Sequence, residues 1–468
     1  MAKYDNIFEE VLKIPISEVF FKYGFQPRRC GSSWQLPSPF RNDSSSTSFT
    51  LSDGLNIFKD WVARDIKGNS INFVQRYYNL TYFEACMDIA LKFGIITEDA
   101  YKKILSRKPN HSEIKHYETT YKMVEKPKHL PAEPEVLDKV YRIFISFTTL
   151  SEAHLEHLKV KRNLSVDEIK EHMFFTMPTR GMVRRFLKAI EAEFGSQDVL
   201  ADVPGFFKRA GEQNFSFNAS KGIGLPIFNE NRLIVGIQIR LDELNKSGLR
   251  YFWFSSGFAD NDTTGQFEVG TSSGSPIDVV FPTKLNHKGV FITEGKFKAI
   301  KLAETFHCIC LSVQGVSTWK PIINLLSNLG TIVNRDYPKF GGDWKIQMIY
   351  SAFDADMCKN INVYKQLFNM TNKILEEVPS SVRGSSFNVQ YMFWDVNLGK
   401  GIDDLINSST LPELGERLKR YNKVDFDNAY KNLIDKILEE TKLSNESEIC
   451  MKLSCDEFES YFDKYFKI

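Results

Sequence analysis

Three phrases decide how this chain folds: GVFITEGKFKAIKLAE at 289–304, IQMIYSAFDADMCKNINV at 346–363 and VQYMFWDVNLGKGIDD at 389–404. Each opens with a short β-branched and aromatic run, and the first two pass directly into residues of helical period. With CICLSV at 308–313 between the first two, strands alternate with helices expected to reach Phe306, Asn328 and Glu377. Such alternation implies a parallel sheet joined by crossover helices. In an open parallel sheet, functional groups gather at the carboxyl ends of the strands. Glu294 stands directly after GVFIT, Asp354 and Asp356 directly after IQMIYSAF, and Asp403 and Asp404 a short loop beyond VQYMFW. Side chains two apart on an extended segment share a side, so Asp354 and Asp356 are expected to face one cation. Clustered carboxylates repel unless something positive sits among them, and hard oxygen donors suit Mg²⁺ or Mn²⁺.

Working outward, GLPIFNE (224–230) and RLIVGIQIRL (232–241) read as a hairpin turning at Asn229 to Asn231. The stretch from Glu135 to Lys221 reads as mainly helical, with an apolar repeat in LSEAHLEHLKVKR and a capping box from Ser165 to Glu168. The first hundred residues begin with helices over Asp5 to Ile14 and Ser17 to Tyr23, the second closed by Gly24. Strand-like SSWQLPSPF, STSFTLS and NIFKDWV follow, then two helices between Ser70 and Phe93 broken at Asn79. Residues 107–134 are polar and carry Pro109, Pro127, Pro131 and Pro134, as a linker does. The organisation expected is a small α+β module (1–106), a linker (107–134), a mixed α+β subdomain (135–285), a parallel α/β domain (286–408) and a helical C-terminal segment (409–468).

The 468 residues call for two to four domains, and 42% hydrophobic with 25% charged residues is ordinary globular composition. A net charge of +1 announces no polyanionic partner, so any nucleic-acid surface must be a local patch. The seven cysteines are scattered, with no C-x-x-C pair, which fits neither a disulfide framework nor a zinc site. No apolar run approaches the ~18 residues of a membrane span, and the N-terminus lacks a signal-peptide layout, so a cytoplasmic protein is expected. The 38 phenylalanines are read as core packing. So are Cys308 and Cys310, while Arg180, Arg184 and Arg185 read as a solvated helix face. His154 and His157, at helical spacing, lack a third ligand.

The combination of E-G-K after one strand, D-x-D after another and G-K-G-I-D-D after a third resembles the Toprim domain of primases, type IA and II topoisomerases and some nucleases. FITEGKFKAIKLAE, LSVQGV and AFDADMCKNINV are similar to primase-type Toprim domains of bacterial viruses and integrating elements. GLPIFNENRLIVGIQIRLDELNKSGLRYFW and HLKVKRNLSVDEI resemble segments that precede Toprim in DnaG-type primases, so the likeness runs from about residue 140 to 408. SPFRNDSSSTSF and GNSINFV sit where that family has its zinc-finger phrases. The family's zinc ligands appear here as Ser38 and Arg41, with the later pair near Trp61 and Arg64. No zinc is expected, and packing around Phe40, Phe49, Phe58 and Trp61 takes its place.

The resemblance implies a DNA primase making short primers from nucleoside triphosphates on a single-stranded template. Glu294, Asp354 and Asp356 would be catalytic, and with Asp403 would hold Mg²⁺. Arg240, Arg250, Lys296, Lys298 and Lys400 would bind template or nucleotide. Two other readings stand beside it: a Toprim nuclease using the same carboxylates to activate water, or an inactive adaptor binding single-stranded DNA or a helicase. A topoisomerase would need a further domain bearing a nucleophilic tyrosine. No P-loop motif occurs, so a replicative helicase would be a separate chain, with the helices from about Leu411 as its docking candidate.

Overall fold

Along the central strands apolar side chains point alternately to two faces, and both faces are buried. The computed structural model describes residues 5–31, 33–40, 48–61, 66–78, 80–106, 130–244, 248–260, 266–445, 449, 453 and 455–466. It is a mixed α/β chain, with four sheets among the described residues. In the six-stranded sheet, Gly289–Glu294 lies between Ile309–Val313 and Ile346–Ser351, and Ile346–Ser351 in turn pairs with Arg383–Phe393, all parallel. Asp278–Val280 closes one edge antiparallel and Lys419–Asn422 the other. Val290, Ile292, Leu311 and Ile349 face one core with helices Ile322–Asp336 and Ile361–Glu377. Phe291, Cys308, Cys310 and Met392 face the other, under helix Lys296–Phe306. The period of two in a strand makes this division.

That second face decides where the site lies, because it is shared. Leu158, Leu164, Phe174, Ile223 and Leu225, from the subdomain before the sheet, pack into the same core as helix Lys296–Phe306. This subdomain has a four-stranded antiparallel sheet, in the order Tyr251–Trp253, Ile234–Leu241, Gly222–Phe228, Phe175–Thr176. The hairpin turns where expected: Asn229 Oδ1 accepts from the Asn231 and Leu233 N–H groups, both at 3.0 Å. A Cβ at Gly224 would lie 2.2 Å from the Phe175 ring, so the strand can pack there only as glycine. The Ser165 and Glu168 capping box is present.

At the N-terminal end a five-stranded antiparallel meander packs against helices, with Phe20, Phe40, Phe49, Phe58 and Phe73 in mutual ring contact. Trp61 departs from the expectation that it joins them. Phe58 and Asp60 face the core, so Lys59 and Trp61 face the other way, and Trp61 is 56% exposed. Ser38 is buried, and its hydroxyl accepts from the Phe40 N–H at 3.3 Å. Arg41 and Arg64 lie outside the described residues, as do 107–129 of the linker.

The C-terminal segment differs from the helical extension its charge pattern suggested. Lys419–Asn422 is an edge strand, and Phe426, Tyr430, Leu433 and Ile437 of helix Lys423–Thr441 enter the core of the six-stranded sheet. Four polar residues, KRYN, carry no strand pattern of their own; pairing with Gln390–Phe393 makes them one. No described helix is long and apolar enough to cross a membrane.

Candidate active site

Glu294 ends its strand, and Gly295, at φ +93°, swings the chain sharply into helix Lys296–Phe306. The adjacent strand is tied in just before its acids: Ala352 N–H donates to Ile292 O at 2.8 Å, and Thr293 Oγ1 donates to Ala352 O at 2.6 Å. Beyond it, Ala355 N–H donates to Lys400 O at 3.0 Å, joining the D-A-D loop to the G-K-G loop. These bonds draw three separate phrases to one sheet edge.

The two acids of the D-D pair divide their work. Asp404 Oδ2 accepts from the Gly401 N–H at 3.1 Å and caps helix Ile402–Asn407, whereas Asp403 is buried in the cleft wall. A Cβ at Gly401 would lie 2.4 Å from Asp403 Oδ1 and 3.1 Å from Lys298 Cε, so glycine there makes room for both side chains. The D-x-D acids do not share one extended face. The chain turns at Ala355, and Asp356 begins the short helix Met357–Lys359, which leaves Asp354 in the cleft and Asp356 at its rim.

The cleft has a volume of about 210 Å³. Glu294, Lys298, Asp354 and Asp403 line one side; Arg162, Gln238 and Tyr251 come from the preceding subdomain, and Gln314 follows its strand. Each aspartate carries a cation: Lys298 bonds Asp354, Lys400 reaches Asp356 at 2.9 Å, and Arg162 reaches Asp403 at 3.4 Å. Burial raises the Glu294 carboxyl, and Asp354 adds to it while Lys298 and Lys400 oppose. Burial, reinforced by Asp404, raises Asp403 against the pull of Lys298 and Arg162.

Among the described residues no three acidic, histidine or cysteine side chains are arranged as they stand to hold one metal ion. Lys298 is placed among them, bonded to Asp354 and acting on both Glu294 and Asp403. In chemistry the donor set still fits a hard divalent cation, since it is all carboxylate and converges on one cleft, with Lys298, Lys400 and Arg162 now offsetting its charge.

Of the expected basic residues, Lys298 and Lys400 stand at the carboxylates. Lys296 does not: its ammonium and the Asp278 carboxylate are both fully buried, 2.9 Å apart. Helical residues two apart point about 200° from one another, so although both residues line the cleft, only the Lys298 ammonium reaches the Asp354 carboxylate. Arg250 donates to the backbone oxygens of Leu241 and Asp242, which holds the strand end. Arg240 is part-buried beside Tyr251 and Arg162, its Nε without a partner. Arg162 was not singled out from the sequence, although it lies within HLKVKRNLSVDEI. It stacks 4.8 Å over Phe297 and donates to Tyr251 OH at 3.4 Å, and its Nε has no partner. His157 lies behind it, its imidazole pushed down to about 4 by burial and then by Arg240 and Arg162.

No family model matches the chain, and no curated protein sequence does. Among solved structures it is similar to the zinc-binding and RNA polymerase domains of the Aquifex aeolicus primase, with 15% identity, TM-score 0.41, and 99% of this chain and 97% of that one covered. The RNA polymerase domain of Mycobacterium tuberculosis primase DnaG aligns with 11% identity and TM-score 0.44, over 71% of this chain and 99% of that one. A DnaG primase catalytic domain bound to single-stranded DNA aligns with 13% identity and TM-score 0.39, over 60% and 78%.

Proposed function

We propose that this chain is a DNA primase of the DnaG type, a nucleotidyltransferase that makes short primers on single-stranded DNA with a Toprim-like metal site. The observation that carries the reading is one cleft lined by Glu294, Asp354 and Asp403 of the six-stranded sheet together with Arg162, Gln238 and Tyr251 of the preceding subdomain. Acids suited to a divalent ion and groups suited to phosphate share that cleft.

Primer growth forms a bond between a 3′-hydroxyl oxygen and an α-phosphorus and breaks the α–β phosphoanhydride, releasing pyrophosphate. Mg²⁺ or Mn²⁺ would supply Lewis-acid neutralisation of the charge that builds on the phosphate. Glu294, Asp354 and Asp403 would hold it, with Asp356 at the rim. Glu294, raised by burial, would be the acceptor of the hydroxyl proton in the alternative where it is not itself a metal ligand. Arg162, fixed on Phe297 and Tyr251, presents a rigid guanidinium to phosphate oxygens.

A surface for the template lies on the N-terminal sheet. Arg28, Gln35, Thr50, Lys59 and Lys67 pair successively across all five strands, and Lys59 sits 3.8 Å over the exposed Trp61 ring. Basic groups beside an exposed aromatic suit a single strand without a zinc ion. The likeness of FITEGKFKAIKLAE to Toprim domains of viruses and mobile elements supports an origin in such an element, with a separate replicative helicase as partner.

The test is labelled-nucleotide incorporation on single-stranded DNA with Mg²⁺ or Mn²⁺, for the native chain, Glu294→Gln and the Asp354→Asn, Asp356→Asn pair. Short products from the native chain alone support the reading. Degraded DNA supports a nuclease instead, and DNA binding without chemistry, even with a cognate helicase, supports an adaptor.

A further inference from the structure

Four carboxylates, Glu294, Asp354, Asp356 and Asp403, are met by three cations from three different places in the chain. Arg162 is locked in position: its guanidinium is shared between Asp403 and Tyr251 and stacked on Phe297. The two lysines are held otherwise. Lys298 stands in the first turn of its helix, and Gly401 leaves room for its stem. Lys400 lies in the G-K-G loop and is 64% exposed. Each ends a flexible four-carbon stem with freely rotating donors. The Glu294 carboxyl feels both ammoniums, and Lys400 feels Asp354 as well as Asp356. Lys296 shows the contrast, since the same residue type two positions earlier has its ammonium sealed against Asp278.

A divalent ion entering this cluster competes with these ammoniums for Asp354 and Asp356, since Lys298 holds Asp354 Oδ1 and Lys400 holds Asp356 Oδ2. Ammonium and metal cannot bind the same carboxylate oxygen without like charges meeting at contact distance. We infer that Lys298 and Lys400 are exchangeable counter-charges: a divalent ion displaces them from Asp354 and Asp356, and the freed ammoniums move to the phosphate oxygens of the nucleotide that accompanies it. The inference rests on the metal-site reading above and adds a coupling to it. Metal and triphosphate then bind with positive cooperativity, because the first to arrive releases the groups that receive the second.

The experiment is calorimetric titration of chelator-treated protein with MgCl₂ alone and with Mg–ATP, using the native chain, Lys298→Met, Lys298→Arg and Lys400→Met. Melting curves check the fold, and Lys400, being exposed, provides a variant whose folding is not at issue. Removing a competing ammonium should tighten Mg²⁺ about fivefold for a part-exposed pair, while Mg–ATP binds more weakly. Lys298→Arg, which keeps the charge, should stay near native for Mg²⁺. If both methionine variants bind Mg²⁺ no tighter than the native chain, the exchange is refuted while the metal site stands. If the native chain binds no divalent ion, the metal-site reading falls and the exchange falls with it.

Discussion

Lys296→Met separates two roles for a lysine that the sequence places two residues after Glu294, the glutamate proposed to be catalytic. In the fold its ammonium lies 2.9 and 3.2 Å from the two Asp278 oxygens, and both side chains are fully buried. Burial lowers the Lys296 ammonium and Asp278 opposes that fall. The Phe228 N–H also donates to Asp278 Oδ1 at 2.8 Å. Methionine fills the same volume and leaves the carboxylate with that single donor. Breaking one side of a buried pair costs about 3–5 kcal/mol. With a urea dependence of roughly 3 kcal/mol/M, the unfolding midpoint should fall by about 1–1.7 M. Equilibrium urea unfolding by tryptophan fluorescence measures this, because Trp344 and Trp394 are buried in the two cores of the sheet. Adding Asp278→Asn to Lys296→Met should restore more than half the loss, since the amide oxygen still accepts from Phe228. A midpoint within about 0.2 M of native for the single variant, with nucleotide affinity lost, would refute the buried-pair argument and return Lys296 to the triphosphate.

Gly401→Ala places a methyl 2.4 Å from Asp403 Oδ1 at an ordinary backbone conformation, so activity should fall at least about tenfold while the melting temperature moves little; an unchanged rate would mean that Asp403 need not stay where it is. His157 has its folded pKa near 4 against an ordinary 6.5, so the unfolded chain binds the extra proton and stability falls as pH drops from about 6.5 toward 4. Discounted for solvent contact this is about 1 kcal/mol, and His157→Gln should remove it; urea midpoints at pH 7 and pH 5 that differ equally in both proteins would contradict the assignment. Trp61→Ala and Lys59→Ala should each weaken single-stranded DNA binding about tenfold, with Lys59→Ala also lowering the salt dependence. Fluorescence anisotropy on an oligonucleotide reads both, and native affinity in both variants would remove the N-terminal sheet from the template path.

Much of the architecture was legible because hydrophobic period and turn chemistry are local. The parallel strands, the hairpin at Asn229 and the capping box at Ser165 each follow from residues within a few positions of one another. Lys419–Asn422 was not legible, since an edge strand of polar residues is defined by the backbone beside it. Trp61 was misplaced for a different reason: its composition suggested the core, but the register set by Phe58 turned it outward. At the site, strand ends pointed to Glu294, Asp354 and Asp403, yet nothing local separates Lys296 from Lys298 or Asp403 from Asp404.

The amino-acid order by itself determined which residues end strands and which chemistry gathers at their ends, because a strand's side-chain alternation and a glycine's freedom act over a few bonds. Only the tertiary structure decided which charge meets which. Burial sent Lys296 to Asp278, the turn at Ala355 parted Asp354 from Asp356, and packing of the preceding subdomain onto the sheet carried Arg162 to Asp403, 241 residues away in the chain. Electrostatic pairing depends on distance through space and on exclusion of water, and neither is written in the local sequence.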